Sequence, residues 1–480
     1  MNYSIIVYII GMILKIEAVF MALPAITALI YQETSGVAFL ITIALCMVIG
    51  LPLTRKKPTR KAFYTKEGFV TVALSWIVLS IIGAIPFVIS RSIPNPVDAL
   101  FETVSGFTTT GASILSDVEA LPHCMLMWRS FTHWIGGMGV LVFVMVLLNL
   151  DDDGSMYLMR AEVPGPEADK LVPKARSTAR ILYLMYLILT MAEVIFLLFG
   201  GMNLYDALIH SFSTAGTGGF SNRNASVSYY DSAYIDGVIT VFMILFGINF
   251  NIYFAIYIKN WKSALKNEEA RTYLGVIAAA ILMITVNIYH IYGNVASAFR
   301  YSSFQVAAVI TTTGFYTADF NLWPEFSKTI LLVTMIIGAC AGSTTGGIKC
   351  IRMVILLQVA KNEFKHILHP NAVLPVRVNK QVISPSIQST VLAFTFLYAV
   401  IVIISVLVMM GLGVGFLESI GTVISSIGNM GPGLGTCGPA FSWSELPDAA
   451  KWLLSFLMLL GRLELFTVLL LFTSGFWKKN

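Results

Sequence analysis

Long apolar stretches alternate with short polar connections from one end of the chain to the other. Each long stretch is about 20 residues or more, the length at which a helix can cross a bilayer. The pattern predicts an initial pair of helices over 4–30 and 36–53, and then four similar units. Each unit has a long helix, a segment too short to span, and a second long helix. The predicted elements of the four units are 68–90, 97–109 and 128–149; 178–200, 205–216 and 234–258; 272–292, 301–312 and 326–360; and 388–411, 415–428 and 450–475.

The short segments resemble one another, and each ends at a glycine. Two of them begin with Phe and finish with Thr-Thr-Thr-Gly, and three have an acidic residue thirteen positions before the glycine. A similarity that returns at a long, regular spacing indicates one structural unit used repeatedly. The segments are 101–111, 209–219, 304–314 and 421–431, and their final glycines are 108, 95 and 117 residues apart.

Composition places this pattern in a membrane. The chain is 57% hydrophobic and 12% charged, against about 25% charged in ordinary soluble domains, and its mean hydropathy is +0.79. We therefore predict an all-α polytopic membrane protein. The first apolar run is too long for a signal peptide and lacks a basic start, so no cleavable signal is expected. The five scattered cysteines suggest neither a disulfide framework nor a zinc site.

The distribution of charge predicts the topology. Lysine and arginine gather in five clusters, which the positive-inside rule assigns to the cytoplasm together with both chain ends. The connections between the clusters are basic-poor and contain acids, which would concentrate cations at a pore mouth or would simply be solvated loops. With this orientation the short segments must enter and leave the membrane from outside. The clusters are 55–66, 160–180, 259–271, 349–380 and 478–479.

Four re-entrant segments predict a central aqueous path, because non-helical backbone at membrane depth must be buried in protein or line water. Rings of carbonyl oxygens can replace the hydration shell of a cation, glycine permits the backbone angles, and threonine offers a further oxygen. One such segment could equally serve close helix packing, but four in equivalent places favour a cation filter. The candidate coordinating residues are Thr109, Thr110, Gly111, Thr217, Gly218, Gly219, Thr312, Thr313, Gly314, Asn429, Met430 and Gly431.

These motifs resemble the Trk/Ktr/HKT superfamily of potassium transporters, and the resemblance covers essentially the whole chain. Three features resemble its TrkH branch in particular: the leading helical pair, the segment 133–139 and the segment 172–180. The resemblance implies four helix–pore-loop–helix repeats around a pseudo-fourfold pore. In that superfamily a serine in place of the first filter glycine accompanies sodium preference, so Gly111 favours potassium. The implied divisions are an extra hairpin over 1–55 and pore repeats over 66–150, 175–260, 270–362 and 386–477.

A second motif, 338–352, interrupts the last helix of the third repeat with glycines and hydroxyl residues that make a poor helix core. By itself it could be a flexible cytoplasmic loop. The resemblance implies an intramembrane gate beneath the filter, here called the gate loop (338–347), with Arg462 facing the pore beside it. Arg462 lies in an apolar helix, where a charge is costly, and Glu464 is two positions away, so the two side chains do not face each other. The candidate gating residues are Gly342, Ser343, Thr344, Thr345, Gly346, Gly347, Lys349 and Arg462.

The resemblance further implies potassium as the transported ion, a homodimer, and a cytosolic nucleotide-binding partner resembling TrkA, with a multi-pass location in the plasma membrane of a bacterium or archaeon. No phosphate-binding glycine motif, metal cluster or nucleophile–base pair indicates an enzyme. The rival hypotheses are a sodium or mixed-cation transporter of the same fold and an alternating-access carrier. The second and fourth segments lack some filter hydroxyls, which would make the inner ion site less fourfold. Lys15 and Glu17, two further charges in an apolar helix, have no role that the sequence reveals.

Overall fold

The computed structural model describes residues 1–56, 65–139 and 175–477. The described chain is helical apart from one two-stranded hairpin, which confirms the predicted fold class. Part of the predicted helix 128–149, the connection that follows it, part of the motif 172–180 and the basic pair 478–479 lie outside these residues. The same is true of most of the first basic cluster.

The N-terminal hairpin consists of three helices that pack as two spans. α1 continues into α2 through Met21, and α3 returns alongside α1. Gly11 and Gly50 make this contact close, since a Cβ atom on Gly50 would lie 3.0 Å from the carbonyl oxygen of Gly11. The helix bounds are Tyr3–Phe20 for α1, Ala22–Tyr31 for α2 and Gly36–Arg55 for α3.

The two unexplained charges of this hairpin have different surroundings. Lys15 donates a hydrogen bond from Nζ to the hydroxyl of Thr54, 3.2 Å away on α3. Glu17 is buried, and neither of its carboxylate oxygens has a hydrogen-bond partner among the described residues. Lys15 and Glu17 do not pair with each other, and their spacing of two residues on a helix predicted that they would not.

Four repeats follow, each with a long first helix and a short second one. The first helices have 25 to 27 residues and cross the bilayer, whereas the short helices have 12 to 16 and do not. Asparagine side chains cap the start of the short helices in three repeats. The long helices are α4 (Thr65–Ile89), α7 (Ala175–Phe199), α12 (Glu268–Tyr292) and α16 (Pro385–Gly411), and the short helices are α5 (Pro96–Phe107), α8 (Leu204–Gly216), α13 (Val295–Ile310) and α17 (Phe416–Gly428).

The last helix of every repeat ends or breaks at a similar point. The sequence predicted a break only in the third repeat; the continuous helices predicted over 234–258 and 450–475 are wrong, because the chain bends there by 90° and 117°. Gly247 and Asn249 lie between the two halves of the helix in the second repeat, and Glu464, whose φ is 66°, lies between them in the fourth. The segments are α6 (His123–Gly137); α9 and α10 (Ala233–Phe246, Phe250–Tyr257); α14 and α15 (Glu325–Ile337, Cys350–Leu368); and α18 and α19 (Asp448–Arg462, Leu465–Leu469).

The remaining elements lie between or beyond the repeats. α11 (Trp261–Leu265) precedes the third repeat, and α20 (Ser474–Trp477) follows the last. A hairpin of β1 (Arg377–Val378) and β2 (Gln381–Val382) pairs Arg377 with Val382 and packs on α15. Short 3₁₀ turns cover Ser226–Tyr230, Phe320–Leu322, Gly435–Cys437 and Leu470–Phe472.

In the described part of the chain, six helices are long and apolar enough to span a membrane, or eight if each bent pair is one span. The short helices lie inside this shell, and their C-terminal halves are almost wholly buried. All four therefore aim their C-terminal ends at the interior, where helix dipoles favour cations. The boundaries proposed for the individual repeats stay predictions.

Candidate functional site

The four glycine segments share one backbone conformation after their helices end. Two residues before each final glycine stands a left-handed residue, and the glycine itself also has a positive φ. A non-glycine residue in this region is uncommon, so its recurrence at the same offset in four segments is a strong sign of common geometry. The left-handed residues are Thr109, Thr217, Thr312 and Asn429, with φ from 53° to 56°, and the glycines are Gly111, Gly219, Gly314 and Gly431, with φ from 77° to 97°.

The four glycines approach one another in a closed ring. A Cβ atom on any of them would overlap the carbonyl oxygen that precedes the glycine of the next repeat, and the longest of the four distances is 2.7 Å. The ring runs through the repeats in chain order, and the last repeat meets the first. Side chains at these positions would close the passage, so glycine is required by space as well as by φ. The carbonyl oxygens in question belong to Gly218 (met by Gly111), Thr313 (met by Gly219), Met430 (met by Gly314) and Thr110 (met by Gly431).

The hydroxyl groups of the candidate filter contact protein atoms. Those of Thr110 and Thr313 each lie 2.8 Å from the threonine hydroxyl two positions earlier. The hydroxyl of Thr217 donates to the carbonyl oxygen of Gly216, 2.6 Å away. Asn429 donates from Nδ2 to Thr110, 3.0 Å away, and so joins the fourth repeat to the first. Each of these side chains is thus engaged with another protein group.

A buried ion pair supports the filter of the first repeat. Glu102, nine residues before Gly111, accepts hydrogen bonds from Arg129 at 2.8 Å and from the backbone N–H of Ile114 at 3.0 Å. Arg129 also donates to the carbonyl oxygen of Ser221 at 3.3 Å, beyond the filter of the second repeat. Both side chains are almost fully buried. The pair therefore ties one short helix to the segments that follow the glycines of two repeats.

The equivalent positions of the other repeats carry neutral groups. His210 contacts the hydroxyl of Ser221, 3.1 Å from its Nε2, and Gln305 donates to the carbonyl oxygen of Ala318 at 3.1 Å. Thr422 bonds within its own helix. An acid in the short apolar helix of the first repeat was thus the signal by which the sequence could have revealed Glu102.

The acids thirteen residues before the glycines bind nearby structure and do not line the ring. Asp98 accepts from Lys451 at 2.6 Å, and Asp206 accepts from Asn222 at 2.6 Å. Glu418 accepts from the backbone N–H of Thr436 at 3.3 Å. In the three repeats that have it, the acid at this position therefore stabilises the structure around the start of the short helix.

A cavity of about 170 Å³ opens on the side of the ring away from the gate loop. All four filter glycines line it, together with Arg129 and Ser113. It gives solvent a route to the ring from that side.

The gate loop lies on the other side, docked into the helix break of the second repeat. The break frees backbone groups that a continuous helix would have used. The N–H of Cys340 donates to the carbonyl oxygen of Gly247, and the N–H of Phe250 donates to the carbonyl oxygen of Gly342, each over 3.1 Å. The hydroxyl of Thr344 reaches the carbonyl oxygen of Phe246 at 3.4 Å. Each of the two broken helices thus supplies hydrogen-bond partners for backbone groups of the other.

The loop also touches the filter directly. The N–H of Gly346 donates to the hydroxyl of Thr312 at 2.8 Å. A Cβ atom on Gly346 would overlap the carbonyl oxygen of Gly428, at the end of the fourth short helix. Within the loop, the hydroxyl of Ser343 bonds the carbonyl oxygen of Cys340 at 2.6 Å and lies 2.8 Å from that of Thr345. The loop is thus held by its own hydrogen bonds and packs directly against the candidate filter.

Arg462 joins the gate loop to the first repeat. Its guanidinium donates to the carbonyl oxygens of Thr344 at 2.8 Å and Gly137 at 2.7 Å, and also to that of Gly136. It lies 3.5 Å from the hydroxyl of Thr109. Arg462 thus lies between the gate loop and the end of α6; that it faces a pore and takes part in gating stays a prediction.

Lys349 and Arg352, the two charged residues that follow the gate loop, do not lie in solvent at the end of a helix. Lys349 is 1% exposed, and its Nζ donates back to the carbonyl oxygen of Thr345. Arg352 pairs with Glu464 at 2.6 Å and stacks over Phe394. Glu464 therefore neutralises Arg352 and not Arg462, in agreement with the spacing argument.

Sequence reasoning missed Glu269, whose carboxylate meets the gate loop. Its neighbourhood in the sequence, Asn-Glu-Glu-Ala-Arg, is that of an ordinary helix start.

Across residues 1–56, 65–139 and 175–477, no group of three or more His, Cys, Asp or Glu side chains could hold a metal ion.

Comparisons with known proteins agree over the full length. A family model named TrkH and described as a cation transport protein matches residues 35–275 and 270–479. The chain is 38% identical to the Trk system potassium uptake protein TrkH of Salmonella typhimurium, with 100% of both chains covered. It is 35% identical to the Trk system potassium uptake protein TrkG of Escherichia coli, with 99% of each covered. The crystal structure of the potassium transporter TrkH from Vibrio parahaemolyticus matches with a TM-score of 0.89, at 32% identity and 100% coverage of both chains.

Proposed function

This chain belongs to the TrkH family of cation transport proteins, and from that premise we propose that it is the pore-forming subunit of a Trk-type potassium uptake system. The observation that carries the proposal is the closed ring of four glycines, each against the carbonyl oxygen of the next repeat. Such a ring presents backbone oxygens from four sides to one axis. Potassium is the cargo, and the carbonyl oxygens replace its water.

Ions pass from the cavity outside the ring, between Gly111, Gly219, Gly314 and Gly431, and on toward the gate loop. The loop blocks this path while Gly346 is bonded to Thr312 and Arg462 is bonded to Thr344. Displacement of the loop opens the path. Glycines at 338, 342 and 347, all with positive φ, let the loop change shape at small cost.

The chain works in the plasma membrane as a multi-pass protein with both ends in the cytoplasm, as a homodimer. Its basic clusters support this orientation. A cytosolic nucleotide-binding subunit resembling TrkA controls the gate, which is supported by the relatives' names as parts of a Trk system and by the lack of a phosphate-binding glycine motif in this sequence.

A sodium or mixed-cation transporter is the second candidate, favoured by the unequal filter segments. The second repeat has Gly218 and the fourth has Asn429 and Met430 where the first has threonine. Flux measurements separate the two functions. In proteoliposomes made with the purified protein, we expect rubidium, a potassium substitute, to enter much faster than sodium. Equal fluxes of the two ions would overturn the assignment to potassium.

A second experiment tests the gate. Removal of residues 339–347 is expected to raise rubidium flux sharply, because the plug beneath the filter is lost. If flux is unchanged, the segment is a linker and the assignment of the gate is wrong.

A further inference from the structure

Glu269, in the first turn of α12, is a buried acid that the filter and the gating arginine do not use. Its side chain is 4% exposed. It contacts the gate loop and the start of α15, where backbone N–H groups donate to it. Hydrogen-bond donors offset the cost of burying an acid, and Glu269 has two of them in backbone N–H groups.

The carboxylate holds both ends of the loop at once. Oε1 accepts a hydrogen bond from the N–H of Ala341, 2.7 Å away, in the first half of the loop. The same oxygen accepts from the N–H of Ile351, 3.2 Å away, where α15 begins. A third bond closes the base of the loop, since the N–H of Cys350 donates to the carbonyl oxygen of Ala339 at 2.9 Å. Bonds from one atom to both ends fix the width of the loop's base.

The acid itself is firmly placed. Asn267 caps α12 by accepting from the N–H of Ala270 at 2.9 Å. Asn379, in the turn of the β1–β2 hairpin, accepts from the N–H of Glu268 at 2.7 Å. The hairpin packs on α15, the helix that leaves the loop. The backbone around Glu269 is thus tied to the elements on both sides of the gate.

We propose that Glu269 is a positioning residue that holds the gate loop closed by binding its two ends. The inference rests on the proposed function of the loop as a gate. The hydrogen bonds between the loop and Glu269 are separate from the bond between the loop and Arg462. Opening therefore requires both sets of bonds to break. Loss of two hydrogen bonds to a buried carboxyl group is expected to shift the closed–open balance by about tenfold or more.

The test compares three substitutions in the full-length protein. Glu269→Ala removes both bonds, Glu269→Met removes them while keeping the volume of the side chain, and Glu269→Gln keeps an acceptor oxygen at the same place. Glu268→Ala is the matched control, since the neighbouring acid makes its contact with the hairpin through its backbone N–H. Rubidium flux into proteoliposomes is measured without any partner subunit. We expect about tenfold more flux with Ala and Met and close to wild-type flux with Gln and the control.

Labelling of two native cysteines reads the position of the loop without any transport. Cys340 lies in the gate loop and Cys350 lies three residues beyond it, and both are buried. In a background with alanine at the other three cysteines (Cys46, Cys124 and Cys437), a charged, water-soluble thiol reagent should modify this pair about tenfold faster in Glu269→Ala and Glu269→Met than in the parent. Faster labelling shows release of the loop even if the protein proves not to carry rubidium, in which case the proposed function fails alone.

Two results would overturn the inference. One is flux and labelling in the Ala and Met variants that match the wild type. The other is a Gln variant as leaky as the Ala variant, which would show that an acceptor at this position does not hold the loop.

Discussion

Arg462, in the last helix of the fourth repeat, donates a hydrogen bond over 2.8 Å to the carbonyl oxygen of Thr344, in the middle of the gate loop that the third repeat contributes. The same guanidinium binds the carbonyl oxygens of Gly136 and Gly137 at the end of α6. One side chain thus joins three repeats directly beneath the ring of glycines. Arginine suits this position because its planar group offers several fixed donors, whereas lysine is a point charge.

Replacement of Arg462 is expected to weaken closure. Arg462→Met removes every bond to the loop and to α6, so rubidium flux into proteoliposomes should rise several-fold. Arg462→Lys keeps the charge but cannot reach three carbonyl oxygens together, so its flux should lie between those of wild type and Arg462→Met. Wild-type flux in Arg462→Met would contradict the role of this contact.

A side chain at the first filter glycine is expected to reduce selectivity. A Cβ atom on Gly111 would overlap the carbonyl oxygen of Gly218, so Gly111→Ser must move a filter oxygen. We expect the ratio of rubidium to sodium flux to fall about tenfold or more. Gly237→Ala is the control, because no described atom lies within 4 Å of the Cβ that it adds. An unchanged ratio in Gly111→Ser would argue against the filter assignment.

The buried pair of Glu102 and Arg129 should behave as a unit. Glu102→Gln or Arg129→Met alone leaves a buried charge without its partner and should cost about 3–5 kcal/mol of stability. The double variant should lose much less than the sum of the two. Thermal unfolding in detergent measures each variant, with the solvent-facing Glu325 of the Glu325–Lys328 pair replaced by Gln as a control of small effect. Additive losses would show that the pair is not coupled.

Glu33 should make stability depend on pH. It joins α2–α3 to the start of α6, accepting from the N–H of His123 at 2.7 Å and of Cys124 at 3.0 Å. Burial raises the pKa of Glu33, but the hydrogen bonds from Cys124 and His123 outweigh it and hold the pKa below the ordinary value. A lowered pKa in the folded state gives stability that is present above the unfolded value, about 4.3, and lost below it.

The measurement is the melting temperature of wild type and Glu33→Gln in detergent between about pH 7 and pH 3. The wild type should be the more stable above about pH 5, and the difference should shrink as the pH falls toward 3. A difference that does not change with pH would contradict a stabilising role for the charged form.

Much of this architecture follows from local pattern. The long helices were predictable because a bilayer demands about 20 apolar residues in a row, and α4, α7, α12 and α16 begin and end close to the predicted bounds. The breaks in α9–α10 and α18–α19 were not predictable in the same way. Their sequences remain apolar across the break, and the freed backbone groups at Gly247 and Phe250 are satisfied only by the gate loop, which lies some ninety residues later in the chain.

The sequence alone determined that there are four similar units, that each carries a re-entrant segment ending in glycine, and that a glycine-rich loop interrupts the third unit. These features depend on periodicity, hydropathy and backbone freedom, which are determined by residues close together in the sequence. The tertiary structure alone decided that each glycine meets the carbonyl oxygen of the next repeat, that Arg462 binds Thr344 and not Glu464, and that Glu269 holds both ends of the loop. Such contacts join residues tens to hundreds of positions apart, and their partners are backbone groups that every residue carries, so the sequence holds no local sign of them.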